Sequence, residues 1–159
     1  MQLDVKKLET KQDIDYIENE LSNNVDNAIS DVNSDRKTNL GKVSRFIANR
    51  VKRLFGIDVS NRQHVLFDND IRHMLNEHGN PYTEKQKGQI AITSVDIKNI
   101  PNIINNPDVI TKGSDARNKL NSIRYIKRID NNTITVAEII PNKGSLQIKT
   151  MVVYAIKTK

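Results

Sequence analysis

Ser122-Ile123-Arg124-Tyr125-Ile126-Lys127-Arg128-Ile129-Asp130-Asn131-Asn132-Thr133-Ile134-Thr135-Val136-Ala137-Glu138-Ile139-Ile140 is the stretch whose reading decides the fold of this chain. Two runs rich in β-branched residues flank Asp130-Asn131-Asn132, side chains that favour turns. A third run, Leu146 to Ile156, follows the turn residues Pro141-Asn142-Lys143-Gly144. Short connections between Ser122–Ile129, Thr133–Ile140 and Leu146–Ile156 predict an antiparallel meander. With Asn131-Asn132 as a two-residue turn, side-chain alternation puts Tyr125, Lys127, Ile134, Val136 and Glu138 on one face. A short second turn adds Ile148, Thr150, Val152 and Tyr154. A one-residue slip at either turn would scatter them.

Upstream, the pattern becomes helical. Ile14, Ile17, Leu21, Val25, Ala28 and Val32 step by three or four, predicting an amphipathic helix over Gln12–Val32. Leu40, Val43, Ile47, Val51 and Leu54 repeat that spacing, and Gly56 follows where helices end, so a second helix is expected over Lys37–Phe55, paired with the first as a hairpin. A third, short helix is capped by Asp68 or Asn69 and stopped by Gly79, with Ile71, Leu75 and His78 near one face. Gln89–Ile92 alternates like a strand. Thr93 and Asp96 form a capping-box pattern opening a helix that carries Ile97, Ile100 and Ile104, is interrupted by Pro101 and ends at Asn106-Pro107-Asp108. Thr111 to Asn121 shows no periodicity and reads as a loop. The class is therefore α+β: N-terminal helices, then a small antiparallel sheet packed on a short histidine-bearing helix.

Composition narrows the function. The 159 residues include no cysteine, which excludes disulfides, thiol nucleophiles and thiolate metal sites. No apolar run approaches the roughly 20 residues of a membrane span, and the N-terminus lacks the apolar centre of an export signal. Net charge is +6, unevenly placed. Met1 to Asp35 carries three lysines against nine acids, whereas Arg36 to Arg53 carries seven basic residues and no acid. An acidic helical extension over 1–35 thus precedes a basic domain over 36–159, with its core at 53–156. Such a basic body favours phosphate-bearing partners, RNA first among them.

Two of the three histidines, His73 and His78, sit on the third helix. Five residues apart, they point about 140 degrees away from each other. Presented over the face that bears Lys127 and Thr150, either could supply a base or an acid for phosphodiester cleavage, with lysine and hydroxyl donors stabilising the phosphate charge. The structural alternative is a surface pair of Lys127 and Glu138, an ordinary strand threonine, and His78 at its helix C-terminus. No metal or cofactor is called for. The histidine spacing fits neither zinc-protease pattern, no glycine loop cradles a nucleotide such as NAD, and the scarcity of aromatic residues argues against a stacking platform for single strands.

Gly56-Ile57-Asp58-Val59-Ser60 through Ile71-Arg72-His73-Met74-Leu75-Asn76-Glu77-His78-Gly79 resembles the nuclease domains of phage polyvalent and MuF-type head-morphogenesis proteins, which are grouped with the barnase, EndoU, colicin and RelE nucleases. The similarity continues through Ile92-Thr93-Ser94-Val95-Asp96-Ile97, Ile100-Pro101, Asn106-Pro107-Asp108, Ile123-Arg124-Tyr125-Ile126-Lys127 and Ile148-Lys149-Thr150-Met151. The resemblance implies a helix-then-sheet fold and a metal-independent ribonuclease leaving a 2′,3′-cyclic phosphate. It points to His73, His78, Lys127 and Thr150 as catalytic, with Arg72, Arg124, Tyr125, Glu138 and Tyr154 as substrate contacts. A toxin or phage effector cleaving tRNA or rRNA in the bacterial cytoplasm is the function expected. The alternative is a non-catalytic module binding nucleic acid or a capsid protein. An acidic inhibitor is the expected partner. The N-terminal helix is expected to mask the basic groove, to make a homodimer or to dock a partner.

Overall fold

The computed structural model describes residues 11–115 and 120–155. It opens with α1 (Lys11–Ser30), β1 (Lys37–Lys42), α2 (Arg45–Phe55), β2 (Gln63–Phe67) and α3 (Asp68–His78). The chain continues through α4 (Pro81–Gln86), β3 (Gln89–Ile90), α5 (Ser94–Lys98) and α6 (Ile100–Asn105), and closes with β4 (Val109–Asp115), β5 (Leu120–Ile129), β6 (Asn132–Ile140) and β7 (Leu146–Ala155). Among the described residues the seven strands form one sheet in the order β1-β2-β7-β6-β5-β4, with β3 added to the far end of β7. The class is α+β, and the expected meander is its β5-β6-β7 centre.

One apolar core lies between the helices and a single face of the sheet. Leu40, Leu66, Ile110, Ile123, Val136, Ile148 and Met151 from the strands join Ile47 and Val51 of α2, Ile71 and Met74 of α3, and Ile97, Ile100, Ile103 and Ile104 of α5 and α6. The described part of the expected extension belongs to this core. Ile17, Leu21, Val25 and Ala28 of α1 are buried in it, so the boundary near Arg36 marks a change of composition and not a break in packing. The α1 stripe proposed for dimerisation is thereby occupied within the chain.

Four expectations are corrected. The helix drawn over Lys37–Phe55 begins only at Arg45, because Lys37–Lys42 is a strand paired with β2. Thr38 and Leu40 alternate inward there, and Ser44 caps α2 through its side chain. The spacing Leu40, Val43, Ile47 satisfies a helix and a strand-turn-helix equally. The loop drawn over Thr111–Asn121 is largely strand: β4 pairs with β5 from Val109↔Ile126 to Asp115↔Leu120, and residues 116–119 lie outside the described ones. Its polar alternation belongs to an edge strand with one face open. The tight turn is Asp130-Asn131, with Ile129 paired to Asn132. This shifts the β5–β6 register by two residues, which preserves the faces. Finally, a register shift opposite Ala137 and Glu138 inserts an extra residue into β7. Ile148 stays on the covered face with Glu138, but Thr150 pairs with Ala137 on the opposite face, and Val152 and Tyr154 follow it.

Three signals at helix ends hold. Gly56 ends α2 in the left-handed conformation at φ 70, its N–H bonded to the Lys52 carbonyl. The Thr93–Asp96 capping box opens α5, and α6 stops at Asn106. The strand drawn over Gln89–Ile92 contracts to Gln89–Ile90, and Ile156 of the last strand lies outside the described residues. Neither expected cap opens α3. Asp68 is its first residue, and the buried carboxylate accepts from the Arg36 backbone N–H and guanidinium and from the Ser34 hydroxyl. No helix among the described residues is long and apolar enough to cross a membrane.

Candidate active site

The last strand is where the geometry departs most from regularity. β7 pairs with β6 along one side, but along the other it meets β2 only at Leu146 and Gln147 and β3 only at Val153 and Tyr154. The intervening stretch holds the bulge with Lys149 and Thr150. An extra residue in one strand re-aims its side chains, a device common beside active sites. Lys149 reaches α3, where its Nζ lies 3.4 Å from Asp70 Oδ2. Asp70, His73 and Glu77 share one stripe of α3 by their spacing of three and four. The His73 Nε2 is 3.5 Å from Glu77 Oε1, and more than half of the imidazole is exposed. Burial raises the Asp70 pKa above its ordinary value, against the opposing pull of Lys149 and His73.

The face of the sheet away from the helices carries the complementary groups. Cross-strand pairing sets Thr111, Arg124, Ala137 and Thr150 in one row. Two strand spacings, about 10 Å, separate the backbones of Arg124 and Thr150. The small Ala137 side chain stands between them. Gly113 makes room for the Arg124 side chain: a Cβ there would stand 2.8 Å from Nε and 2.6 Å from the Ser122 hydroxyl. Tyr154 is exposed at the β3 end, and its hydroxyl accepts from Gln89 Nε2 at 3.2 Å.

Beneath this edge lies a buried polar network. Glu138 is fully buried, accepting from the Tyr125 hydroxyl at 2.6 Å and bonded to His64 Nδ1 at 2.6 Å. His64, on β2, thus reaches across β7 to β6, locking three strands at the position of the bulge. Burial first, then the Glu138 charge and hydrogen bond, push the Tyr125 phenol well above its ordinary pKa, so it remains a donor. His64 Nε2 is buried without a partner among the described residues.

The residues singled out from the sequence therefore divide. His73 lies open on α3, whereas Thr150 and Arg124 lie on the opposite, free face of the sheet, with Tyr154 further along it. His78 points elsewhere, as its angular offset requires, with Nδ1 3.2 Å from the buried Glu84 carboxylate of α4. Lys127 lies on the covered side, its Nζ donating to the Asn106 carbonyl at the end of α6 at 2.6 Å. It does not join Thr150. Arg72 donates to the carbonyls of Ala28, Asp31 and Ser34, tying the end of α1 to α3. Tyr125 and Glu138, expected as substrate contacts, are interior.

Sequence reading passed over three groups that the fold brings into play. Lys149 had a signal, standing next to Thr150 in the motif that carried the resemblance. Asp70 had a weaker one, a full turn before His73. His64 had none, since a lone histidine in an apolar strand has no spacing to interpret. His, Asp and Glu side chains do not gather, among the described residues, in groups of three or more that could hold a metal ion.

A short histidine-bearing helix thus lies against a mixed sheet, antiparallel but for the β2–β7 pair, with Lys149 and Thr150 at the bulge of its last strand. Residues 41–159 match the family described as phage-Barnase-EndoU-ColicinE5/D-RelE like nuclease 3, and the chain belongs to that family. The match takes in everything from the end of β1 onward, and α1 lies before it. No curated protein and no solved structure matches the chain.

Proposed function

We propose that the chain is a metal-independent endoribonuclease acting as a toxin or phage effector, and that its active site is the bulged edge of β7. The observation that supports this most is the approach of Lys149, at the bulge of β7, to Asp70 on the α3 stripe that carries His73. The His73 imidazole takes the proton of a ribose 2′-hydroxyl as the 2′-oxygen attacks phosphorus. The bond from phosphorus to the 5′-oxygen breaks, and that oxygen receives the proton back from the imidazolium, leaving a 2′,3′-cyclic phosphate and a free 5′-hydroxyl. Lys149, Arg124 and the Thr150 hydroxyl stabilise the charge that grows on the phosphate. His78 and Lys127 enter this reading as supports, fixing α3 against α4 and α6 against the sheet. The basic body suits RNA in the bacterial cytoplasm and an inhibitor with an acidic surface.

Incubation with total tRNA and rRNA in excess EDTA tests the proposal. Discrete fragments are expected from the wild type, with His73→Ala slower by about 100-fold or more, the range of general acid–base contributions. Cleavage undiminished in the His73→Ala/Thr150→Ala double variant would remove the assignment. Salt-sensitive binding without turnover would instead identify a non-catalytic module for nucleic acid or a capsid protein.

A further inference from the structure

The run of seven basic residues without an acid, Arg36 to Arg53, contributes little to the β7 edge. Much of it lies on α2, which buries Ile47, Ala48 and Val51 and leaves Phe46, Arg50 and Leu54 outward at spacings of four. Phe46 is 56% exposed. The Arg50 guanidinium carbon sits 5.2 Å from the centre of its ring, which fixes the plane of the aromatic side chain. A cleft of about 740 Å³ opens between the start of α2 and the end of α6, lined by Ser44, Arg45, Phe46, Asn49, Asn105 and Asn106 with Pro107 at its margin. No carboxylate lines it.

Asn105 is held within the lining by α6 itself. Its Nδ2 donates to the Pro101 carbonyl at 2.7 Å, which sets the amide so that Oδ1 is the free end. That oxygen is enclosed by the protein and has no partner among the described residues.

An aromatic plane with an adjacent cation, beside the exposed amides of Asn49 and Asn106 in a space of this size, matches a nucleobase: the base stacks on Phe46, its edge meets the amides, and Arg45 meets the neighbouring phosphate. The two exposed apolar side chains, Phe46 and Leu54, are too few for an apolar docking face, and Arg45 and three asparagines line the cleft beside Phe46. We infer that the α2–α6 cleft is a subsite for one base of a single-stranded RNA, separate from the β7 edge. This inference rests on the RNA reading proposed above.

The probe is a short single-stranded 2′-O-methyl RNA, which cannot undergo 2′-attack, beside an abasic oligonucleotide with the same number of phosphates. Binding to the full chain is followed by fluorescence anisotropy. Stacking of one base on an aromatic side chain predicts that Phe46→Ala weakens binding of the base-bearing probe by about five- to 100-fold, that Phe46→Tyr stays within about twofold, and that the abasic probe does not distinguish the variants. Circular dichroism confirms that the variants fold, as an exposed side chain should permit. Equal binding of the base-bearing probe by wild type and Phe46→Ala overturns the subsite, even if the wild type cleaves RNA. Loss of both probes in Phe46→Ala overturns it too, since only backbone contacts would then be affected. Binding that depends on Phe46 without any cleavage would retain the subsite and reject the catalytic reading, and failure to bind either probe would reject both.

Discussion

Tyr125 illustrates how a single residue changes meaning between sequence and structure. On a strand face beside Lys127 it reads as a substrate contact, yet in the fold its ring is fully buried and its hydroxyl is the donor that satisfies Glu138. A buried carboxylate with two short partners, Tyr125 and His64, is stable only while both remain. Tyr125→Phe preserves the ring and removes the donor, so a loss of about 1–3 kcal/mol in unfolding free energy is expected, read by urea denaturation at neutral pH. Catalytic constants for any bound RNA should change less than stability does. The reverse holds at His73, whose exposed side chain adds little to packing and whose replacement should leave the melting curve near that of the wild type. Between them these residues separate what holds the edge from what acts on it, a distinction invisible in the linear order of Tyr, His and Glu.

The element that matters most is the α3–β7 contact. α3 was legible because its hydrophobic spacing and terminal glycine are local signals, and β5, β6 and β7 were legible because alternation and turn residues are local too. The bulge was not. It depends on the register of β7 against β6, and no residue in Ile148-Lys149-Thr150-Met151 announces that one position is unpaired. Its consequence is to turn Thr150 from the covered face to the open one and to send Lys149 toward Asp70. Asp70 supplies a pH test of that contact. Burial raises its pKa in the folded state above the ordinary 3.8, so the folded protein holds this proton more tightly than the unfolded chain. The associated stability is present below the unfolded pKa and is lost as pH rises through the folded value. Wild type should therefore lose stability relative to Asp70→Asn as pH rises above about 4, followed by thermal melts at matched ionic strength. A difference that stays flat across that interval would show that Asp70 is not desolvated by the α3–β7 packing.

At the scale of the whole molecule, the acidic α1 is structural. Its charge suggested a mask over the basic body, whose removal would raise activity. Four of its side chains are instead part of the common core, and Arg72 fastens its end to α3. Leu21 is fully buried, and Leu21→Ala is expected to cost about 2–5 kcal/mol through lost burial and the cavity left behind. Truncation before Arg36 should expose the apolar sides of α3, α5 and α6, giving a protein that aggregates or unfolds in circular dichroism. A folded and more active truncated chain would restore the masking role. By itself, the sequence determined the α+β class, the meander, the short histidine helix and the nuclease family, because each is written in local periodicity, turn chemistry or motif. Only the tertiary structure decided that Lys37–Lys42 is a strand, that α1 completes the core, that His64 locks three strands, and which face Thr150 occupies. Those outcomes depend on partners far apart in the chain, since pairing register and burial are properties of two segments together and neither segment encodes them alone.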